Sequence, residues 1–326
     1  MTRLDAPHEP ERESPVACDG PQALLLEARE VPLGGVRGMS VHRSLPQRAL
    51  PMVGAWCFLD RFGPQHARMR VEPHPHIGLQ TVTWPFVGEV RHRDAIGSDV
   101  VVRRGVLNIM TSGAGISHSE YSVGDDPVPL DALQLWVALP ESRRHGERDF
   151  ERIGDLPVVD LGGGAAAQVV VGEFAGTASP ARMYTPIVGA EITVPAGASV
   201  RLPLTPEWEY AVVGISGAPT VLVDDPVAVP DLGLLHLGVQ RSHVEITATT
   251  DATVFLLGGE PFEDDIVMWW NFVGRTHEEI AEAREAWEAG TDRFGHVVGH
   301  GEERIPAPPL PGVRLTQRRR PGFPGR

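Results

Sequence analysis

Short runs rich in Val, Leu, Ile and Thr, each stopped within a few residues by Gly or Pro, set the tightest limit on what this chain can fold into. Thr81–Val87 is closed by Gly88-Glu89 ahead of Val90–Asp94, Gly97-Ser98 precedes Asp99–Arg103, and Gly105 precedes Leu107–Thr111. β-Branched residues are least restricted on a pleated surface, and runs this short do not reach the length of a packed helix. Turn signals recurring every 8 to 12 residues or so predict a sandwich or barrel. After Leu133–Leu139 the polar stretch Pro140–Arg152 and the cluster Gly162-Gly163-Gly164 break the rhythm, and a second β-rich half runs from about Gln168 to Gly259. Within it, Tyr210–Gly217 followed by Thr220–Val223 is similar to the hairpin around Trp84–Gly88, which predicts a duplicated barrel.

One helix is expected. Thr276 and Glu279 have the spacing of a capping box, Ile280, Ala283 and Trp287 recur at helical intervals, and Gly290 supplies a stop. The apolar run Trp269–Val273 is expected to pack across the barrels, and the Pro306–Pro311 segment to be extended and poorly ordered. The expected divisions are a disordered tail over 1–20, a first barrel over 21–145 and a linker over 146–167. A second barrel over 168–262, a packing segment with the helix over 263–300, and a disordered tail over 301–326 complete the chain.

Composition bounds the function classes. Apolar residues at 42% and charged residues at 22% lie in the range of globular proteins. The sequence MTRLDAPHEPERESPVACDG lacks the apolar centre of a leader peptide, and no apolar run reaches the roughly 18 to 20 residues that cross a bilayer, so a cytoplasmic protein without membrane contact is expected. A net charge of −14 opposes direct binding of nucleic acid, and Arg318, Arg319, Arg320 and Arg326 read as a solvated end. Cys18 and Cys57 form neither a disulfide framework nor a metal spacing; one is a tail thiol and the other is expected among apolar neighbours.

The chemistry is concentrated in Glu72-Pro73-His74-Pro75-His76-Ile77-Gly78 and Gly113-Ala114-Gly115-Ile116-Ser117-His118-Ser119-Glu120. Residues two apart on a strand point to the same side, so His74 with His76, and His118 with Glu120, can each present two donors into a barrel. Two such strands facing one another complete a four-ligand cage. Imidazoles with a hard carboxylate and no thiolate suit Fe(II), Mn(II), Ni(II) or Zn(II), and four ligands leave two positions open in an octahedral shell.

At these residues the sequence resembles the pirin family of the cupin superfamily. HPHIGLQTVTWPFVGEVRHRD from His74 to Asp94 is similar to the family's HPHxGxETxTYxxxGxxxHxD, and GVLNIMTSGAGISHSE from Gly105 to Glu120 to its GxxxxMTxGxGIxHSE. The resemblance runs from about Val41 through Leu133-Gln134-Leu135-Trp136 and faintly to Gly258-Gly259-Glu260-Pro261. It implies a bicupin fold with one non-haem Fe(II) in the first barrel, held by His74, His76, His118 and Glu120. It also implies cleavage of flavonols such as quercetin with O₂, with Glu120 as ligand and base, or else an iron- and redox-responsive cofactor of a regulatory protein. A metal-dependent cupin acting on another oxygenated small molecule, and a barrel that has lost its metal, are further alternatives; a monomer is expected.

The chain departs from the pattern at three places. Gln80 stands where the motif has Glu, which leaves the ligand set intact and is expected to alter the surroundings of the metal. Trp84-Pro85 replaces Tyr-Leu, and a proline there requires an edge or a bulge. The second barrel has Pro203-Leu204-Thr205 in place of His-x-His, so no metal is expected there, and His236 reads as structural.

Overall fold

The computed structural model of the chain describes residues 19–33 and 39–317. Cys18, Arg318, Arg319, Arg320 and Arg326 lie outside the described residues, with the rest of 1–18 and 318–326.

The chain is mainly β, with two cupin-type domains and one short helix. In the first domain a seven-stranded sheet runs in the order Asp149–Ile153, Leu107–Thr111, Leu79–Val87, Val128–Ala138, Trp56–Ala67, Met39–Leu45 and Arg29–Leu33. It faces a four-stranded sheet ordered Arg70–His76, Ile116–Ser122, Glu89–Asp94 and Asp99–Arg103. The second domain repeats the plan. Its large sheet runs Pro21–Glu27, Gly233–Gly238, Glu209–Ser216, Ala252–Gly259, Ile187–Val194, Ala165–Phe174 and Val158–Gly162, with Thr177–Ala178 paired to Ala165–Phe174. Its small sheet runs Ser199–Pro203, His243–Thr247, Thr220–Leu222 and Pro226–Ala228. The paired sheets do not close into barrels; they are double-sheet jelly rolls.

The two large sheets pack against each other. Val82, Trp84, Phe86, Leu107, Ile109, Leu133 and Leu135 of the first meet Val170, Ala211, Val213, Leu234, Phe255 and Leu257 of the second in one buried cluster. Polar groups in this layer are paired across it: Trp56 Nε1 donates to Val188 O and Gly258 O, and Trp84 Nε1 donates to Glu191, which also accepts from Arg104. Arg61 makes a bidentate pair with Asp131 at 2.7 and 2.8 Å and donates to Ile215 O in the other domain. His236 also lies at this interface, buried, 3.8 Å from Glu209 Oε1, while Glu209 accepts from Gly54 N.

Three segments are placed differently from expectation. Pro21–Glu27, expected in the first barrel, pairs with Gly233–Gly238 and extends the second domain's sheet. The expected linker holds two strands, Asp149–Ile153 paired to Leu107–Thr111 and Val158–Gly162 paired to Ala165–Phe174, so each half extends the sheet of a different domain. Gly301–Gln317, expected to be disordered, is packed: Ile305 N donates to Pro73 O, Ala307 is buried, and Trp287 Nε1 donates to Ile305 O. The reason lies in Arg70–His76, an edge strand whose outer carbonyls need donors and whose Pro73 and Pro75 cannot supply a ladder of their own.

Other details follow the sequence closely. Helix His277–Glu288 begins with the Thr276–Glu279 capping box and buries Ile280, Ala283 and Trp287, with Gly290 at a φ of +64° just beyond. Cys57 is buried in an apolar cluster beside Trp136. Pro85 is tolerated because it sits beside a register shift at Asp131/Ala132, and Leu107–Thr111 pairs only with Gln80–Thr83, so Pro85 lacks a partner on that side. No helix among the described residues is long and apolar enough to cross a membrane.

Replacing Asp131 by Ala leaves the Arg61 guanidinium buried without its counter-charge between the domains. We expect a loss of about 3–5 kcal/mol in urea unfolding, and a loss under about 1 kcal/mol, the level of an exposed pair, contradicts the interface described here.

Candidate metal centre

The site is built on the antiparallel pair Arg70–His76 and Ile116–Ser122, in which His118 stands opposite His74 and Ile116 opposite His76. A register shift between His118 and Glu120 sets Glu120 opposite Val71, and Glu120 also faces His92 on Glu89–Asp94. The structure brings His74, His76 and His118 together, their ring nitrogens all within 4.8 Å of one another. Glu120 joins a second group of the same size with His118 and His92, so His118 is common to both. All four residues singled out from sequence line one cavity, but Glu120 groups with His118 and His92 and not with His74 and His76.

The hydrogen bonds around the rings fix their tautomers. His74 Nδ1 lies 2.9 Å from Glu72 O, and His76 Nδ1 lies 3.1 Å from Asn271 O. A carbonyl can only accept, so both Nδ1 atoms carry the proton and both Nε2 atoms present lone pairs. For His118 the argument passes through a relay. Burial pushes the Asp94 carboxyl up, but hydrogen bonds from His92 and Ser98 outweigh it and hold it below the usual carboxylate range. Ionised Asp94 can accept from His92 Nε2 at 3.2 Å, and a neutral His92 then accepts through Nδ1 from His118 Nδ1 at 3.3 Å. His118 Nε2 is then also a lone pair.

Burial keeps these rings neutral. It lowers the His74 pKa to about 4, partly offset by the bond to Glu72 O, and it drives His76 and His118 well below the ordinary value, with neighbouring imidazoles adding to the effect. His76 Nε2 and His118 Nε2 face each other at 3.1 Å. Two lone pairs at that distance repel unless a proton or a cation lies between them. Burial also pushes the Glu120 carboxyl up, against His92 and the Thr83 hydroxyl. Three neutral Nε2 donors, each with its opposite nitrogen anchored, beside a desolvated carboxyl form a set that fits a divalent transition metal.

The donors open onto a cavity of about 650 Å³. Phe58 and Trp136, stacked at 3.9 Å, form part of its wall with Phe62, Met69 and Val71, and Trp136 also touches the edge of His76 at 5.1 Å. Arg43, bidentate to Asp60 at 2.8 Å and lying 4.5 Å over Phe58, adds a charged pair. The remaining wall comes from Trp270, Asn271 and residues 303–309, the segment expected to be disordered.

Two comparisons of sequence and one of structure bear on this arrangement. The Pirin family model matches residues 38–137, and that of the Pirin C-terminal cupin domain matches 189–295. This chain belongs to the pirin family. A Pseudomonas aeruginosa protein provisionally named a quercetin 2,3-dioxygenase is 41% identical over 87% of this chain and 89% of its own length. A pirin-like protein of Caulobacter vibrioides is 34% identical over 87% of this chain and 99% of its own. A crystal structure of quercetin 2,3-dioxygenase from Acinetobacter baumannii superposes with a TM-score of 0.84 at 38% identity, covering 90% of this chain and 98% of that one.

Against the pirin motif, two points change the reading of the site. Gln80 does not face the metal side at all. It shares parity with Val82 and Trp84, and its Nε2 donates to Arg182 O in the second domain and to Thr111, so the departure from the motif alters the domain interface. His92 and Asp94, by contrast, were not singled out from sequence although they close the first motif and are two apart on a strand, the same signal that marked His74 and His76.

Gly78, next to the site, has a φ of +69°, and a β-carbon there would lie 2.0 Å from Val273 O. Ala in its place strains the backbone and pushes away the hairpin that anchors His76. The expected result is a loss of at least about 1 kcal/mol in thermal unfolding, together with loss of the slowly exchanging His76 Nδ1 proton in NMR spectra; an unchanged proton signal contradicts it.

Proposed function

We propose that this chain is a non-haem dioxygenase of flavonol-type substrates, holding Fe(II) through His74, His76, His118 and Glu120. The observation that carries the reading is the convergence of three neutral Nε2 donors beside a half-buried carboxyl, in the wall of an aromatic cavity large enough for a three-ring molecule. The names carried by the relatives in Pseudomonas aeruginosa and Acinetobacter baumannii support it. The bound ion supplies Lewis acidity and open positions for a chelating substrate and O₂.

The chain's own residues do the rest. The stacked pair Phe58 and Trp136 gives the cavity an apolar wall that excludes water from an aromatic ring system. The Arg43–Asp60 pair lies in the cavity wall, where it can meet phenolic hydroxyls. Glu120, beside His92, stands where it can accept the proton of a 3-hydroxyl when it swings free of the ion. His92 acts through His118: it accepts the Nδ1 proton and so fixes the ring that presents Nε2.

Elemental analysis of the purified protein is expected to give one transition metal per chain, and His74→Ala or His118→Ala to abolish it. Iron-loaded protein mixed with quercetin and then O₂ is expected to consume the gas and release carbon monoxide; neither uptake nor release sinks the dioxygenase reading. His92→Phe keeps the stack on Phe150, whose ring centroid is 4.6 Å away, yet removes the acceptor of His118. Its metal affinity should fall about 10- to 100-fold in a competition titration, and an unchanged affinity removes His92 from the site.

A further inference from the structure

The hairpin formed by Val267–Trp269 and Phe272–Gly274 turns through two residues, Trp270 and Asn271, with Trp269 opposite Phe272. Trp270 has a φ of +52°, the left-handed region, whereas Asn271 does not. A two-residue turn with a positive φ at its first position alone has the form in which glycine is strongly preferred. A bulky side chain there is an outlier, and such outliers persist where surrounding structure over-determines them.

What surrounds Trp270 ties it to both halves of the site. Trp270 is among the residues that line the cavity, and its ring leans edge-on against Phe272 at 5.4 Å and packs beside Trp269 on the cluster of Ile77, Ile280 and Trp287. The carbonyl of the next residue, Asn271, accepts from His76 Nδ1. Beyond that, Val273 N donates to Ile77 O, and Ile77 and Phe272 form a bridge, so the turn is clamped to the chain immediately after His76. A shift of the Trp270 backbone therefore moves the peptide that holds the His76 tautomer.

We propose that Trp270 is the substrate-facing wall of the cavity, against which a planar aromatic ligand stacks, and that the Trp270–Asn271 turn joins that contact to the orientation of His76. The inference rests on the cavity being the substrate site. A glycine would satisfy the backbone and still offer the Asn271 carbonyl, so the tryptophan is explained by what its ring touches rather than by the turn. Stacking on an indole needs a broad apolar face and no fixed hydrogen-bond pattern, which fits the polyphenol class.

The test uses the full chain loaded with Ni(II), with 3-hydroxyflavone as probe, followed by its fluorescence. Trp270→Gly is expected to keep its nickel content and a Tm at or above the wild-type value, while binding the probe at least about tenfold more weakly; Trp270→Phe should fall between the two. Equal probe affinity in wild type and Trp270→Gly overturns the proposal, as does a wild type that binds no probe. Loss of nickel in Trp270→Gly at an unchanged Tm also overturns it, because the ring then serves only to support His76. Should Trp270→Gly unfold, Trp270→Phe at unchanged Tm decides by the same affinity comparison. Probe binding that depends on Trp270 in a protein showing no O₂ uptake with quercetin leaves this inference standing and removes the dioxygenase reading alone.

Discussion

The seven-stranded sheet of the first domain has almost no face left for water, and the site depends on that. One side is sealed by the second domain's large sheet through Val82, Trp84, Leu133 and Leu135. Its strands can therefore carry apolar residues in alternation toward the partner domain while the intervening positions, Phe58, Asp60, Gln134 and Trp136, look into the first domain's own interior. A lone sandwich would expose the side that now meets the second domain. Because it is covered, the inner face need not form a solid core and can leave room for a cavity. Val41, Phe62, Met69 and Val71 pack with Val90 in one cluster and also line the cavity that the histidines face.

Burial also does the electrostatic work. An exposed imidazole is half protonated near pH 6.5 and competes poorly for a cation. Sunk between two sheets, His74, His76 and His118 stay neutral, and the cost of hiding their N–H groups is offset by Glu72 O, Asn271 O and His92 Nδ1. Each acceptor comes from a different part of the chain: the same strand, the C-terminal hairpin and the neighbouring strand. The arrangement of donors is thus a property of the assembled domain, and no isolated hairpin could hold it.

Much of this was legible in the sequence, and the limits are physical. Strands such as Asp99–Arg103 and Leu107–Thr111 were readable to the residue because glycines bracket them, and the helix because its cap and stop are local. His74, His76, His118 and Glu120 came from a two-residue parity that holds wherever a strand is regular. The same parity at Gln80, counted with Val82 and Trp84, points away from the metal side, but which face of a central strand meets which sheet is a tertiary fact. Pro21–Glu27 could not be assigned to the second domain for the same reason, since nothing in PQALLLE says whose edge it will join.

The tail was misread because a Pro-rich segment forms no ladder of its own and looks unstructured by composition. Its order is imposed from outside. Arg70–His76 is an edge strand, and the carbonyls on its open side must be met by donors that follow no strand register. Ile305 N meets Pro73 O, Arg304 lies over Trp287, and Trp287 Nε1 meets Ile305 O, so the helix, the tail and the ligand strand hold one another in place. Since residues 303–309 and Trp270 then form part of the cavity wall, the imidazoles and that wall arise from separate parts of the chain.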